Sequence, residues 1–132
     1  QGDAEVSEEN LGDVASAGGT IVGGSDWGVS SINPLEAIEV GVMRCDPAGP
    51  TCVTWLPKET VSLSRMIAAY TIEGARLAFE EQNTGSVTVG KSADLIVLDH
   101  DLFAIPPTQI AKARVLLTLL EGHEIYRDAG LH

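Results

Sequence analysis

The hydrophobic pattern changes its period near Asn83, and this change restricts the fold more than any other feature of the sequence. Before it, apolar residues recur at three- and four-residue intervals, which is typical of amphipathic helices. After it come the runs ADLIVLD and RVLLTLLEGHEIYR, which have the composition of β-strands. Helices followed by strands predict an α+β fold rather than a doubly wound one.

Two longer helices and one strand are predicted ahead of that change. The sequence Asn33-Pro34-Leu35-Glu36 offers an N-cap, a proline at the first helical position and a capping glutamate, so we expect a helix over about 34–44. An apolar stripe that follows Ser62 predicts a second helix over about 62–80. The β-branched run TIVGGSD predicts a buried strand over about 19–25 that delivers a side chain to the edge of a sheet.

The second part of the chain predicts a small sheet. SVTV and ADLIVLD resemble two strands joined by a turn at Gly90-Lys91. The later run predicts a hairpin that turns at Glu121-Gly122. Between these elements, Pro106-Pro107-Thr108 predicts a short helical turn.

The stretch GSVTVGKS, Gly85 to Ser92, satisfies the phosphate-loop pattern G-x-x-x-x-G-K-[ST]. A working phosphate loop leaves a buried strand and enters a helix, whose N-terminus binds the phosphates. Here the preceding residues 80–84 are polar, and the following residues 95–98 have strand character. We therefore predict no nucleotide site, with Lys91 as a turn residue whose amine lies in water.

The net charge of −11 predicts that nucleic acid and anionic membranes are not partners, because no basic patch opposes the negative field. No apolar run approaches the roughly 18 residues that span a bilayer. The N-terminal residues 1–13 are acidic and do not resemble a signal peptide. These features predict a soluble, cytoplasmic protein.

Cys45 and Cys52 are the only two cysteines in the sequence. They are too few for a disulfide scaffold and have no histidine neighbours for a zinc site. We favour two free thiols in the cytoplasm. A local disulfide that closes the segment CDPAGPTC is the alternative.

Three collinear stretches resemble metal-dependent amidohydrolases of the family 3 type: GGSDWGVSSINPLEAI, SLSRMIAAYTIEGARLAF, and the segment from GSVTVGKS to GHEIY. The family's fold is a (β/α)₈ barrel with a flanking β-domain. The resemblance implies that residues 1–81 are the remnant of the end of the barrel, with its last strand and helices. Residues 82–132 would then be part of the small composite β-sandwich domain.

The resemblance also implies a site. Asp26 corresponds to the catalytic aspartate at the end of the last barrel strand, which is a metal ligand and general base. Trp27 would line the pocket for a small-molecule substrate. The cofactor implied is a divalent metal, usually zinc, whose bound water attacks a non-peptide C–N bond. Gly28 stands where the family commonly has proline, which puts the shape of the pocket in doubt.

Most of the family's metal ligands have no counterpart in this sequence, because a barrel needs about 250 residues and the chain contains one barrel strand. Three histidines, His100, His123 and His132, are predicted to lie at the surface without ligand spacing to Asp26. A catalytic zinc takes three protein ligands. We therefore expect no bound metal and no activity in the isolated chain.

Two hypotheses follow. The chain is either the C-terminal piece of a hydrolase whose activity needs the rest of the barrel, or a non-catalytic interaction module derived from one. In both cases apolar surfaces that a barrel would cover need another cover. We expect a homodimer for this reason.

Overall fold

The computed structural model describes residues 10–25, 28, 31–45 and 51–131. A helical part comes first and a three-stranded antiparallel sheet follows, so the α+β prediction is confirmed. The helices are α1 (Leu11–Ser16), α2 (Pro34–Met43), α3 (Leu63–Ala69) and α4 (Ile72–Leu77). Short 3₁₀ helices cover Pro57–Glu59 and Pro107–Lys112, and the strands are β1 (Leu95–Leu98), β2 (Val115–Leu120) and β3 (His123–Arg127).

Helix α2 begins as its sequence predicts. The Asn33 side chain accepts a hydrogen bond from the N–H of Leu35 at 3.1 Å, and Pro34 occupies the first helical position. The helix ends at Met43, one residue before the predicted limit, because Arg44 takes a left-handed conformation with φ of 50°. This conformation ends the helix and turns the chain towards the cysteines.

The stretch predicted as one helix over 62–80 consists of two helices, α3 and α4. The break lies at Tyr70 and Thr71, where Thr71 has φ of −134° and ψ of −98°. The hydroxyl of Thr71 donates to the carbonyl oxygen of Ile67 at 2.8 Å. A β-branched residue that bonds back to the preceding turn in this way disfavours continuation of the helix.

Two segments predicted as strands are irregular. Residues 19–25 form no strand, because no other strand of the described part lies alongside to pair with them. A hydrogen bond from the N–H of Gly23 to the carbonyl oxygen of Ala69, at 3.0 Å, holds this segment instead. The segment SVTV, residues 86–89, also forms no strand. It belongs to a loop described below with Lys91.

The sheet has the order β1-β2-β3. Strand β1 pairs with β2 from Leu95 opposite Leu119. The predicted hairpin between β2 and β3 is confirmed, and it turns at Glu121 and Gly122 with φ values of 51° and 79°. Two successive positive φ angles are typical of the type I′ turn, whose twist matches that of paired strands.

The hydrophobic core joins the first helices to the segment between β1 and β2, and it includes Ile38, Met66 and the fully buried Ile110. Helix α2 packs against both α3 and the second 3₁₀ helix. Two buried carboxylates join segments that are distant in the sequence. Glu39 accepts from the N–H of Ala111 at 2.8 Å, and Glu59 accepts from the N–H of Gly12 at 2.7 Å. These bonds satisfy backbone donors that the core would otherwise leave without a partner.

Cys45 and Cys52 form a disulfide, with their Cα atoms 5.3 Å apart. The prediction of two free thiols is therefore wrong, and the alternative of a local disulfide is correct. The geometry explains the pairing, because the left-handed turn at Arg44 brings the chain back on itself. The N–H of Trp55 bonds to the carbonyl oxygen of Arg44 at 2.7 Å, and the guanidinium lies 5.9 Å from the indole centroid.

Across the residues that the structure describes, no helix combines the length and the apolar character needed to cross a membrane.

Candidate functional site

Asp26 and Trp27, the predicted catalytic and substrate-binding residues, lie outside the described residues. The segments on either side of them are described, and so is Gly28.

The incoming segment lies against the end of α3. Ile21 packs on the hydrophobic core, and the N–H of Gly23 donates to the carbonyl oxygen of Ala69. A Cβ atom at Gly23 would lie 2.3 Å from Cε2 of Tyr70, so the tyrosine ring directly contacts the glycine backbone. Burial raises the pKa of the Tyr70 phenol above its ordinary value. Only glycine allows this approach without a shift of the ring or the chain.

The outgoing segment is held at the start of α2. The N–H of Asn33 donates to the hydroxyl of Ser31 at 3.2 Å, and the Asn33 amide donates to the carboxylate of Glu36 at 3.4 Å. Leu35, two residues after the cap residue Asn33, is buried in the core. The cap and the core together fix the start of α2, which follows Asp26 and Trp27 in the sequence.

Gly28 has φ of 107°, and a Cβ atom built there would meet nothing within 4 Å. Proline is restricted to φ near −65° and cannot adopt this conformation. A proline at position 28 would therefore require a different backbone conformation at this residue.

A shallow hollow of about 170 Å³ lies beside the incoming segment, lined by residues 18–21 together with Arg65, Ala68 and Glu73. Its charged groups are engaged within the protein. Arg65 donates to the carbonyl oxygen of Ala15, and Glu73 forms an ion pair with Arg76 at 2.5 Å. The charged groups that line the hollow are therefore already paired within the protein.

Lys91, the lysine of the phosphate-loop pattern, does not hold its amine in water. Its Nζ donates to the carbonyl oxygens of Glu81 and Thr84, the latter at 3.2 Å, and to the hydroxyl of Ser86 at 2.7 Å. The N–H of Lys91 donates to the carbonyl oxygen of Thr88 at 3.1 Å, so Lys91 does lie at a turn, but the prediction that its amine lies in water is wrong. The ammonium group closes the loop that contains SVTV, and this bonding gives the GKS sequence a structural role.

The histidines were predicted to lie at the surface. His100 and His123 are exposed, and His132 lies outside the described residues. His100 Nδ1 lies 2.9 Å from the carboxylate of Asp99. In the described ranges, no three His, Cys, Asp or Glu side chains come together in a way that could hold a metal ion.

A sequence model of the amidohydrolase family matches residues 4–126, which is most of the chain. The chain belongs to the amidohydrolase family. The three stretches quoted above lie within the matched range, and the family 3 assignment made from them is confirmed.

Two curated relatives and one solved structure show how this amidohydrolase segment compares. Protein LONG AFTER FAR-RED 3 of Arabidopsis thaliana is 36% identical over 103 residues, covering 78% of this chain and 17% of that protein. The N-substituted formamide deformylase of Arthrobacter pascens is 29% identical over 106 residues, covering 80% of this chain and 19% of that protein. The chain thus spans less than a fifth of either relative.

The crystal structure of an amidohydrolase from Thermotoga maritima MSB8 superimposes with a TM-score of 0.63 and 21% identity. The superposition covers 91% of this chain and 26% of that one. At this identity the likeness shows the fold alone. It extends over nearly all of this amidohydrolase segment, helical part and sheet together.

Sequence reasoning missed the contact between Gly23 and Tyr70, which are far apart in the chain. One signal was available, because two adjacent glycines after an apolar run indicate a place where another part of the chain approaches the backbone closely. The structure distinguishes them. A Cβ atom at Gly23 would clash with Tyr70, whereas one at Gly24 would meet nothing within 4 Å.

Proposed function

We propose that this chain is the closing segment of a metal-dependent hydrolase that cleaves non-peptide C–N bonds in small molecules. The family match over residues 4–126 carries the proposal. Residues 1–81 supply the end of a (β/α)₈ barrel, and residues 82–132 supply part of the flanking β-domain. Asp26 is the catalytic carboxylate and Trp27 lines the pocket.

The described residues do not fit a complete metal site. They offer no cluster of three ligands, and one carboxylate at Asp26 does not hold a catalytic zinc, which needs three protein ligands. We therefore assign the remaining ligands to parts of a barrel that this sequence does not contain. The isolated chain is inactive in this proposal.

The chain's own contribution in this proposal is the carboxylate of Asp26. The described segments that precede and follow it in the sequence each form a hydrogen bond, from the N–H of Gly23 to Ala69 and from the N–H of Asn33 to Ser31. A carboxylate in that position accepts a proton from the attacking water and returns it to the leaving nitrogen. In the complete enzyme a divalent metal, which we take to be zinc, supplies the activation of that water.

The test uses a longer polypeptide that contains both this segment and the rest of a barrel. A panel of N-substituted formamides is the first probe, chosen from the name of the Arthrobacter relative. We expect hydrolysis that Asp26→Asn reduces by a factor of about 100 or more, in line with the loss of a general base. The control is Asp101→Asn, which changes an exposed aspartate that accepts from the N–H of Phe103.

An unchanged kcat in Asp26→Asn would overturn the assignment of this residue. Turnover and stoichiometric metal in the isolated 132-residue chain would overturn the proposal that the segment needs the rest of a barrel. Metal content measured on the same samples separates a loss of metal from a loss of the proton acceptor.

A specific observation favours a second candidate, an interaction module. The sheet exposes apolar side chains on both faces, including Ile96, Leu120, Ile125 and Tyr126. If the rest of a hydrolase does not cover them, a second copy of this chain would, as a homodimer. Light scattering of the isolated chain tests the homodimer, since a monomer at high concentration would exclude it.

The disulfide bears on localisation. Disulfides persist mainly in oxidising compartments, whereas cytosolic thiols are kept reduced. We therefore propose that the pairing of Cys45 with Cys52 forms outside the cytoplasm, contrary to the prediction of a cytoplasmic protein with free thiols. Mass measurement after alkylation, on protein taken directly from its source, tests this.

A further inference from the structure

We propose that Cys52 is the site at which low-molecular-weight thiols form a mixed disulfide with this protein. The thiol attacks the Cys45–Cys52 bond at the sulfur of Cys52, and Cys45 is released. This reaction lies outside the proposed hydrolysis and does not depend on Asp26. The inference rests on the unequal surroundings of the two cysteines, both of which the structure describes.

The two ends of the disulfide differ in exposure. Cys45 retains 7% of its accessible surface and is buried, whereas Cys52 is exposed. Both chain neighbours of Cys52 are exposed as well, and Val53 retains 75% of its accessible surface. Because the rate of exchange depends on access to the sulfur that is attacked, these surroundings direct an incoming thiolate to Cys52.

Cys45 is held by contacts that do not need the disulfide. The preceding residue, Arg44, ends α2, and its N–H donates to the carbonyl oxygen of Val40 at 2.7 Å. The N–H of the buried Val61 donates to the carbonyl oxygen of Gly41 at 2.9 Å, which fixes the last turn of the same helix. The end of α2 therefore keeps Cys45 in place when the disulfide opens.

Cys52 has weaker ties to the rest of the protein. The N–H of Val53 bonds to the carbonyl oxygen two residues before it, at 3.1 Å, within the same exposed segment. A bond to the end of α2 comes at Trp55, whose N–H donates to the carbonyl oxygen of Arg44 at 2.7 Å. Opening of the disulfide thus frees Cys52 but keeps it close to Cys45, so the exchange is reversible.

The exchange step conserves atoms and electrons. A thiolate bonds to Sγ of Cys52 while the bond between the two protein sulfurs breaks, and Cys45 leaves as a thiolate that takes a proton from water. The sulfur of Cys45 is reduced, and the sulfur of the incoming thiol is oxidised. In the reverse step Cys45 attacks the mixed disulfide, expels the small thiolate and restores the original bond.

The first measurement compares two single-cysteine variants, Cys45→Ser and Cys52→Ser, which are matched because each removes the same disulfide. The probe is glutathione disulfide. Each rate of modification is divided by the rate of the same variant in concentrated urea, so that the different sequence neighbours of the two thiols cancel. We expect the normalised rate for Cys52 in Cys45→Ser to exceed that for Cys45 in Cys52→Ser by about tenfold or more, because thiol reactivity follows exposure. Equal normalised rates would overturn the proposal.

The second measurement uses the oxidised chain without substitutions and so does not depend on how the variants fold. The chain is treated with reduced glutathione and quenched with acid, and the released thiol is labelled with N-ethylmaleimide in urea. We expect peptide mass spectrometry to find glutathione on Cys52 and maleimide on Cys45. Glutathione on Cys45 would overturn the proposal, and so would a purified chain that forms no bond between the two cysteines on oxidation.

Discussion

The helical part and the sheet of this chain are stabilised differently. Ile38, Met66 and Ile110 form a buried core among the helices, whereas none of the residues in β1, β2 or β3 is buried. Leu98 of β1 packs against that core, but a small sheet that buries so little has limited stability of its own. The comparison teaches that the sheet depends mainly on backbone pairing, which has irregularities in both strand pairs, and less on side-chain packing.

The carboxylates of the two parts differ in how deeply their hydrogen bonds are buried. Glu59, in the helical part, is buried and accepts from the N–H groups of Gly12 and Asp13. Asp94 and Asp99 flank β1 and accept the backbone N–H groups of Glu121 and Arg114. Both of these hydrogen bonds are exposed to solvent. Because solvent can replace an exposed partner, we expect substitutions to cost more in the helical part than in the sheet.

Reduction of the disulfide should have the largest effect on this comparison. The bond closes a loop with a sequence separation of seven residues in the helical part, and chain-entropy arguments give about 2.5 kcal/mol for a loop of that size. We expect reduction to lower the free energy of unfolding by that amount, as measured by urea denaturation with tryptophan fluorescence as the signal. The double variant Cys45→Ser, Cys52→Ser should unfold at the reduced midpoint with or without reductant. A midpoint that reductant leaves unchanged would contradict this.

Glu59→Ala comes next. It removes the acceptor for two N–H groups at the start of α1 and leaves the buried donor of Gly12 without a partner, which costs about 2 kcal/mol. Glu59→Gln keeps a carbonyl oxygen and should lose less. Glu80→Ala, in which only an exposed bond from Asn83 is lost, is the control. Equal losses in Glu59→Ala and Glu80→Ala would remove the distinction between buried and exposed carboxylates.

Gly74→Ala should stabilise the helical part. Gly74 lies within α4 with nothing within 4 Å of a built Cβ atom, and glycine in a helix costs about 0.5–1 kcal/mol relative to alanine. Gly41→Ala is the matched change within α2, where a Cβ atom would lie 2.4 Å from Cε of Met66. The urea midpoint should rise in Gly74→Ala and fall in Gly41→Ala. A loss of stability in Gly74→Ala would show that α4 is more crowded than the structure indicates.

Acid should have the smallest effect, and it acts through the sheet. The backbone N–H of Glu121 lowers the pKa of Asp94, and the backbone N–H of Arg114, with a hydrogen bond from His100, lowers the pKa of Asp99. A carboxylate whose pKa is lower in the folded protein than in the unfolded chain stabilises the fold at pH values above its ordinary pKa. This stabilisation is lost as the pH falls through the folded-state pKa. We therefore expect faster amide exchange in β2 as pH falls from about 5 to about 2, after correction for the intrinsic pH dependence.

Asp94→Asn and Asp99→Asn should each remove part of that dependence, while Glu121→Gln, which keeps the backbone donor, should not. A pH dependence that survives both aspartate substitutions would show that other carboxylates control the stability of the sheet.

Local signals predicted the parts of the fold that local chemistry determines. Asn33 and Pro34 specify the start of α2, and Glu121-Gly122 specifies the hairpin turn. The break at Thr71 and the irregular segment 19–25 depend on packing and on the presence of a neighbouring strand. Helical periodicity and β-propensity do not contain that information.

The candidate site was less accessible from sequence. Asp26 came from the family resemblance alone, and the contact of Tyr70 with Gly23 joins residues that no local pattern connects. Lys91 shows the opposite error. The phosphate-loop interpretation was set aside on the sequence alone, and the prediction of a solvated amine overlooked three oxygens that its own loop provides.

The conformation of Gly28 limits how this segment can be engineered. A designer who wished to introduce the proline that the family resemblance leads one to expect at this position would substitute Gly28→Pro. At φ of 107° the pyrrolidine ring cannot be accommodated, so the graft would have to include the neighbouring residues and a rebuilt backbone. Libraries that vary this loop should therefore treat it as one exchangeable unit rather than position by position.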